Sequence, residues 1–138
     1  SDMPWAQARI GAQRLRGAYA WRRFLDSGAA MALGSDFPVE RVAPLPGIYA
    51  AITRQDAQGE PAGGWLPDQR MTLVEALDGF PRGAAYAGHA ENDVGTLEAG
   101  RRADFIVLSI DPHQVRGRAL LSIKVQSTWV DGRKVWPR

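Results

Sequence analysis

A short run of five apolar residues at positions 29–33 (AAMAL) most constrains the fold of this chain. The run is continuous rather than alternating, which is typical of a strand buried on both faces in a parallel sheet. Residues 3–27 before it carry apolar side chains at helical spacing, and Gly28 stands where a helix commonly ends. A helix followed by a buried strand is half of an α/β repeat, so this region predicts an α/β architecture.

Two further helical segments are predicted after this strand. Residues 44–56 are expected to hold a short helix that starts after their prolines. Thr72 and Glu75 have the spacing of a capping box, which predicts that a helix begins there. Pro81 is expected to end this helix, because proline lacks an amide hydrogen and clashes with the preceding turn. Residues 82–87 are expected to form another short helical turn.

The last third of the chain has the pattern of β structure. Residues 103–109 (ADFIVLS) and 123–130 (IKVQSTWV) are predicted strands. Asp131 and Gly132 follow the second strand and precede another short apolar segment, which predicts a hairpin with a two-residue turn. The chain is therefore expected to divide into an α/β part and a β part.

The predicted elements do not complete a known architecture. A closed α/β barrel needs about 250 residues, and this chain has 138. One buried strand with its helices cannot close a sheet, and three or four strands cannot form a sandwich of ordinary size. We therefore expect the chain to be the end of a larger fold.

Composition excludes several classes of protein. The net charge is only +2 and the arginines are scattered among acidic residues, so no stripe that could follow a nucleic-acid backbone is present. The absence of cysteine excludes disulfide scaffolds, thiolate metal sites and thiol nucleophiles. No apolar run reaches about 18 residues, so no membrane span is expected. No signal-peptide pattern is present, and we expect a cytoplasmic location.

Asp36 is the main candidate for chemistry. It follows the predicted strand directly, and in α/β barrels the carboxyl ends of the strands carry the active site. A carboxylate there can contact a metal ion or act as a general base. The alternative is that Asp36 only caps its loop or the helix that follows.

The other chemically active side chains are less informative. His89 and His113 lie in polar segments without a second ligand at metal-binding spacing, so both are interpreted as exposed loop residues. Ser35 lacks the motif of a nucleophilic serine. The five tryptophans are interpreted as packing residues, although Trp65 stands in the glycine-rich segment 59–65 and can be expected to line a pocket.

Two motifs in the order observed here identify a family resemblance. GSDFPVE at 34–40 and GTLEAGRRADFIVL at 95–108 together resemble the C-terminal part of metal-dependent amidohydrolases, in the branch called amidohydrolase family 3. Further similar segments run in family order along nearly the whole chain: DMPWAQARIG (2–11), PLPGIYAAITRQDAQGEPAGGW (44–65), MTLVEALDGFPRGAAYAG (71–88) and TWVDGRKVW (128–136).

The resemblance implies a distorted (β/α)8, TIM-like barrel with a small composite β-sandwich. Residues 1–93 would be the last helix–strand–helix part of the barrel, and residues 94–138 would be C-terminal strands of the sandwich. Asp36 matches the family aspartate at the end of the eighth strand, which contacts the metal and carries a proton from the metal-bound water to the leaving amine. The remaining family ligands, an H-x-H pair and later histidines among them, are not in this chain.

Two hypotheses for function follow. In the first, the parent protein is a metal-dependent hydrolase of a C–N bond in a small amide or cyclic amide, with a divalent metal, zinc, as cofactor. This chain, lacking the N-terminal barrel segment, would then bind no metal and be inactive alone. In the second, the chain is a non-catalytic fragment or interaction module that self-associates as a homo-oligomer, because residues 29–33 and the later strands leave apolar edges unpaired.

Overall fold

A computed structural model describes residues 1–137, with the helices before residue 94 and the strands after it. None of the described helices is long and apolar enough to cross a lipid bilayer. The elements are α1 (Met3–Leu15), α2 (Trp21–Asp26), α3 (Pro44–Thr53), α4 (Leu73–Asp78), α5 (Ala84–Ala87), β1 (Phe105–Leu108), β2 (Val125–Val130) and β3 (Arg133–Trp136).

The single helix predicted over residues 3–27 is wrong. The chain turns after Leu15 and becomes helical again only at Trp21, and Tyr19 between them has a left-handed φ of 50°. Gly11 interrupts α1 with φ 72° and ψ 159°, a conformation that glycine adopts without steric cost. The expected end at Gly28 is confirmed, since its amide donates to the Leu25 carbonyl with φ at 82°.

Pro81 does not end the helix that begins after Thr72. The capping box is present, with the Glu75 amide donating to Thr72 Oγ1 and the Glu75 side chain accepting from the Thr72 amide. A π-helical turn at Gly79–Gly83 then joins α4 to α5. The wider turn accommodates the missing amide and the ring of Pro81, which a regular α-helical turn does not. The prediction of a break at this proline was therefore wrong.

The segment 29–33 is not a strand among the described residues, contrary to the prediction, because no other segment pairs with it. It lies instead on a glycine face of the α4–α5 helix. The Leu33 amide donates to the Gly79 carbonyl over 3.0 Å. A Cβ on Gly83 would stand 2.1 Å from the Met31 carbonyl oxygen, so only glycine permits this approach. Met31 and Leu33 are half-buried and the other three residues of the run are exposed, so the burial on both faces that the run predicted is not found within residues 1–137.

The helical part has its own small core. Ile48, Ala51, Met71 and Ala76 are buried together. The partly buried residues packed around them come from α2, segment 29–33, α3 and the α4–α5 helix: Trp21, Leu25, Leu33, Leu45, Ile52, Leu73, Leu77 and Phe80. This core fixes segment 29–33 and the loops at its two ends.

The three strands form one antiparallel sheet in the order β1-β2-β3. The predicted hairpin is confirmed, with Val130 opposite Arg133 across the Asp131–Gly132 turn. All four residues of β3 are exposed. The 3-10 turn Gly117–Ser122, which precedes β2, packs on α3 of the helical part. Leu120 in this turn is only 1% exposed.

Candidate functional site

Asp36 lies at the end of segment 29–33 that faces the start of α4. Leu33 contacts Gly79 and Met31 contacts Gly83, so the segment and the helix run in opposite directions. The chain beyond Leu33 therefore continues toward the N-terminus of α4, where Thr72 caps the helix. Asp36 stands three residues beyond Leu33, in the exposed loop that follows this end of the segment.

The Asp36 side chain is exposed and makes no hydrogen bond or ion pair within residues 1–137. Its backbone has a left-handed φ of 49°, and its carbonyl accepts from the Val39 amide over 2.9 Å in a turn. The next helix, α3, begins at Pro44 and its cap residue is Ala43. The capping contact considered as an alternative for the Asp36 carboxylate is therefore not made within residues 1–137.

Asp36 has no neighbouring ligands with which to hold a metal. Among residues 1–137, no three His, Asp or Glu side chains are close enough to share an ion. His89 is exposed, and His113 is also exposed and contacts only Asp111, through Nδ1 at 3.0 Å. Tight sites generally need three or four protein ligands, and no such group is present among the described residues.

An ion pair stabilises the N-terminus of α4. Arg22 contacts Glu75 through both terminal nitrogens, Nη1 at 2.9 Å from Oε1, and its Nε donates to the Arg70 carbonyl. The hydrogen bond from Arg22, assisted by the Thr72 amide, lowers the pKa of Glu75 to about 2. The same contact raises the pKa of Arg22. Glu75 thus caps α4 and joins it to α2.

Arg54 is a buried residue that the sequence did not single out. It is 4% exposed and follows α3 with a left-handed φ of 62°. Its guanidinium carbon lies 4.1 Å from the ring centre of Trp21 and 5.4 Å from that of Trp65. Tyr19 completes the cluster, edge-on to Trp65 at 5.2 Å between ring centres. Trp65 therefore packs against a cation rather than standing free in its loop.

Arg54 joins the glycine-rich loop to the end of α3. Its Nε donates to the Trp65 carbonyl over 3.0 Å, and the Trp65 amide donates back to the Arg54 carbonyl over 2.8 Å. Burial lowers the pKa of Arg54 to about 10, so the guanidinium stays charged at neutral pH. The two aromatic faces offset part of its lost hydration. Spacing alone does not reveal such a residue, because Trp21 and Trp65 are 44 positions apart in the chain.

Comparison with known proteins gives one consistent family. The profile of the amidohydrolase family matches residues 2–136. The chain is 31% identical over 138 residues to the putative amidohydrolase YtcJ of Bacillus subtilis, an alignment covering all of this chain and 26% of that protein. It is 33% identical over 111 residues to the N-substituted formamide deformylase of Arthrobacter pascens, covering 80% of this chain and 20% of the relative.

A solved structure agrees in fold. The crystal structure of an amidohydrolase from Thermotoga maritima superposes with a TM-score of 0.55 at 23% identity, over 87% of this chain and 26% of that one. The chain thus spans about a quarter or less of the length of the proteins it matches. At this identity the structural likeness speaks to the fold alone.

Proposed function

The chain belongs to the amidohydrolase family, and from that premise we propose that the protein containing it is a metal-dependent hydrolase of C–N bonds in small amides or cyclic amides. The observation that carries the proposal is the position of Asp36. Its free carboxylate directly follows the apolar run 29–33, inside the GSDFPVE motif. In the barrel that the family implies, this run would be a strand and Asp36 would lie at its carboxyl end, from which catalytic residues of α/β barrels come.

Asp36 would transfer a proton from the attacking water to the leaving nitrogen. Its carboxylate would accept a proton from the water that attacks the amide carbon, and would donate that proton to the nitrogen as the C–N bond breaks. The two steps leave Asp36 ionised, a carboxylic acid and a free amine, so atoms and charge balance. A general base of this kind contributes about a hundredfold or more to a rate.

The cofactor in this proposal is a divalent metal, zinc, which would lower the pKa of a bound water when present. No three His, Asp or Glu side chains among residues 1–137 are close enough to share such an ion. We expect the 138-residue chain alone to be inactive and to bind zinc only weakly. Calorimetry that finds sub-micromolar zinc binding, abolished by Asp36→Ala, would contradict this expectation.

The experiment that tests the proposal uses the longest natural protein carrying this sequence. It would be assayed on a panel that includes N-substituted formamides, the substrate class named for one relative, and cyclic amides. Asp36→Asn keeps the side-chain size but cannot take up a proton at neutral pH. We expect at least about a hundredfold loss of hydrolysis with an unchanged melting temperature. Asp68→Asn, an exposed aspartate in another turn, is the control and should retain full activity.

A second candidate function rests on exposed apolar surface. Within residues 1–137, segment 29–33 has no strand beside it, and Phe37, Val39 and Val42 in the following loop are 63–73% exposed. Large exposed apolar surfaces favour association. The alternative is therefore a non-catalytic module that self-associates through this surface. Light scattering at low micromolar concentration checks it: a dimer or larger species supports the alternative, and a monomer with a cooperative melt rejects it.

A further inference from the structure

A tight turn after segment 29–33 presents the Asp36 carboxylate together with apolar side chains. The Glu40 amide donates to the Ser35 carbonyl over 3.2 Å, and inside this closure the Val39 amide donates to the Asp36 carbonyl over 2.9 Å. Every residue from Asp36 to Glu40 is exposed. The two hydrogen bonds define the path of the backbone, so the carboxylate and its apolar neighbours are presented from one short loop.

Phe37 is the largest apolar side chain of this turn. It follows Asp36 directly in the chain and is 68% exposed, so most of its ring is available to a ligand. An aromatic ring offers a large apolar area for contact with another apolar group. Because consecutive Cα atoms are only about 3.8 Å apart, a molecule a few bonds long that contacts the Asp36 carboxylate can also contact the Phe37 ring.

The proposed proton transfer determines which part of a substrate lies nearest to this turn. The Asp36 carboxyl group must come within about 2.6–3.2 Å of the leaving nitrogen in order to donate a proton to it. The substituent on that nitrogen begins one bond away from it, whereas the substituent on the acyl carbon begins two bonds away. The amine side of the substrate is therefore the side nearest to Asp36 and its neighbour Phe37.

From this arrangement we infer that Phe37 is a specificity-determining residue, and that the preferred substrates are amides whose leaving amine carries an aromatic or branched aliphatic group. The inference rests on the proposed function, because it starts from the proton transfer by Asp36. Val39 in the same turn is 63% exposed and offers a second apolar surface. Arg41 follows the turn and is also exposed. Recognition of an anionic substituent by this cation is the competing outcome of the test.

Three matched formamides test the inference on the longest natural protein carrying this sequence. N-benzylformamide has an aromatic substituent, N-methylformamide lacks it, and N-formylglycine carries a carboxylate instead. We expect kcat/KM for N-benzylformamide to exceed that for the other two at least about tenfold, as apolar contacts allow. Phe37→Ala should remove this preference, chiefly by raising KM, and should change hydrolysis of N-methylformamide by less than about twofold. A parent protein that prefers N-formylglycine, or that does not hydrolyse N-benzylformamide, overturns the inference.

Further variants separate a substrate contact from a structural role. Phe37→Leu keeps an apolar side chain and should retain part of the preference for N-benzylformamide. Phe24→Ala is the matched control, since Phe24 is 53% exposed but lies in α2, and it should leave all three rates unchanged. Circular dichroism checks that each variant is folded.

The outcomes also separate this inference from the proposed function. An equal loss for all three formamides in Phe37→Ala, or no loss for any, overturns the inference. A change of oligomeric state in Phe37→Ala, measured by light scattering, would assign Phe37 to an interface between copies and overturns it as well. The proposed function itself fails only if no amide in the wider panel is hydrolysed, or if Asp36→Asn keeps full activity.

Discussion

The helical part and the sheet of this protein bury their residues to very different extents. In the helical part, Ala76 is fully buried and Tyr49 is 2% exposed. In the sheet, Ile106, Val107, Val130, Val135 and Trp136 are all at least 40% exposed. Both parts contain similar apolar residues, so composition does not explain the difference. What differs is whether a second layer covers the apolar face.

The difference shows what each element needs in order to be stable. A helix satisfies its own backbone hydrogen bonds and needs burial along only one stripe. A strand needs a neighbour at each edge and, when it is apolar on both faces, a layer on each. The helices of residues 1–93 therefore form a core among themselves, whereas the sheet and segment 29–33 leave apolar surface and edges open.

The largest expected change in the free energy of unfolding comes from truncating the side chain that packs the C-terminal part on the helical part. Leu120 is the buried residue of the turn that packs on α3. Leu120→Ala should lower the free energy of unfolding by about 3 kcal/mol, because it leaves a cavity in a closed environment. Val135→Ala in the exposed strand β3 should cost less than about 1 kcal/mol. Urea unfolding at one protein concentration measures both; equal losses would mean that the sheet has a core of its own.

A somewhat smaller effect is expected at the glycine face under segment 29–33. Alanine normally favours a helix over glycine by about 1 kcal/mol. At Gly83, however, the new Cβ would meet backbone atoms of Met31 and Ala32. Gly83→Ala should therefore destabilise by about 2 kcal/mol through overpacking. Gly34→Ala, where a Cβ meets no atom within 4 Å, is the control. Thermal unfolding that shows stabilisation by Gly83→Ala would mean that segment 29–33 is not held against the helix.

The smallest expected effect is the pH dependence contributed by Glu75. Its pKa is lowered from 4.5 to about 2, so the ionised form is the one the folded chain stabilises. The stabilisation is complete above pH 4.5 and is lost as the pH falls toward 2. Because both partners are partly exposed, we expect about 1 kcal/mol. The loss of stability between pH 6 and pH 3, measured by unfolding curves, should be about 1 kcal/mol smaller in Glu75→Gln than in the parent chain.

A control variant separates the contribution of the partly buried Arg22–Glu75 pair from that of the more exposed Asp26. Asp26 contacts the same Arg22 over 3.3 Å but is 64% exposed. Asp26→Asn should leave the difference between pH 6 and pH 3 nearly unchanged. If Asp26→Asn reduced the pH dependence and Glu75→Gln did not, the effect would belong to Asp26, and the prediction for Glu75 would be wrong.

Several features followed from the sequence alone because short-range chemistry determines them. The capping box at Thr72 and Glu75 and the end of α2 at Gly28 depend on residues within a few positions of one another. The same is true of the hairpin at Asp131 and Gly132. The family resemblance, carried by the ordered motifs, was confirmed by the family match. The role of Asp36, the division at residue 94 and the barrel stay predictions.

Other features depend on contacts between distant parts of the chain, and only the tertiary structure shows them. Whether Pro81 breaks a helix depended on a π-helical turn that lets the chain continue. Whether residues 29–33 form a strand depended on a partner, and within residues 1–137 the segment has a glycine-faced helix instead. Arg54 is buried by tryptophans far apart in sequence. Local sequence patterns determine which conformations a segment can adopt. Its strand pairing, close contacts and burial are determined by the distant segments that pack against it.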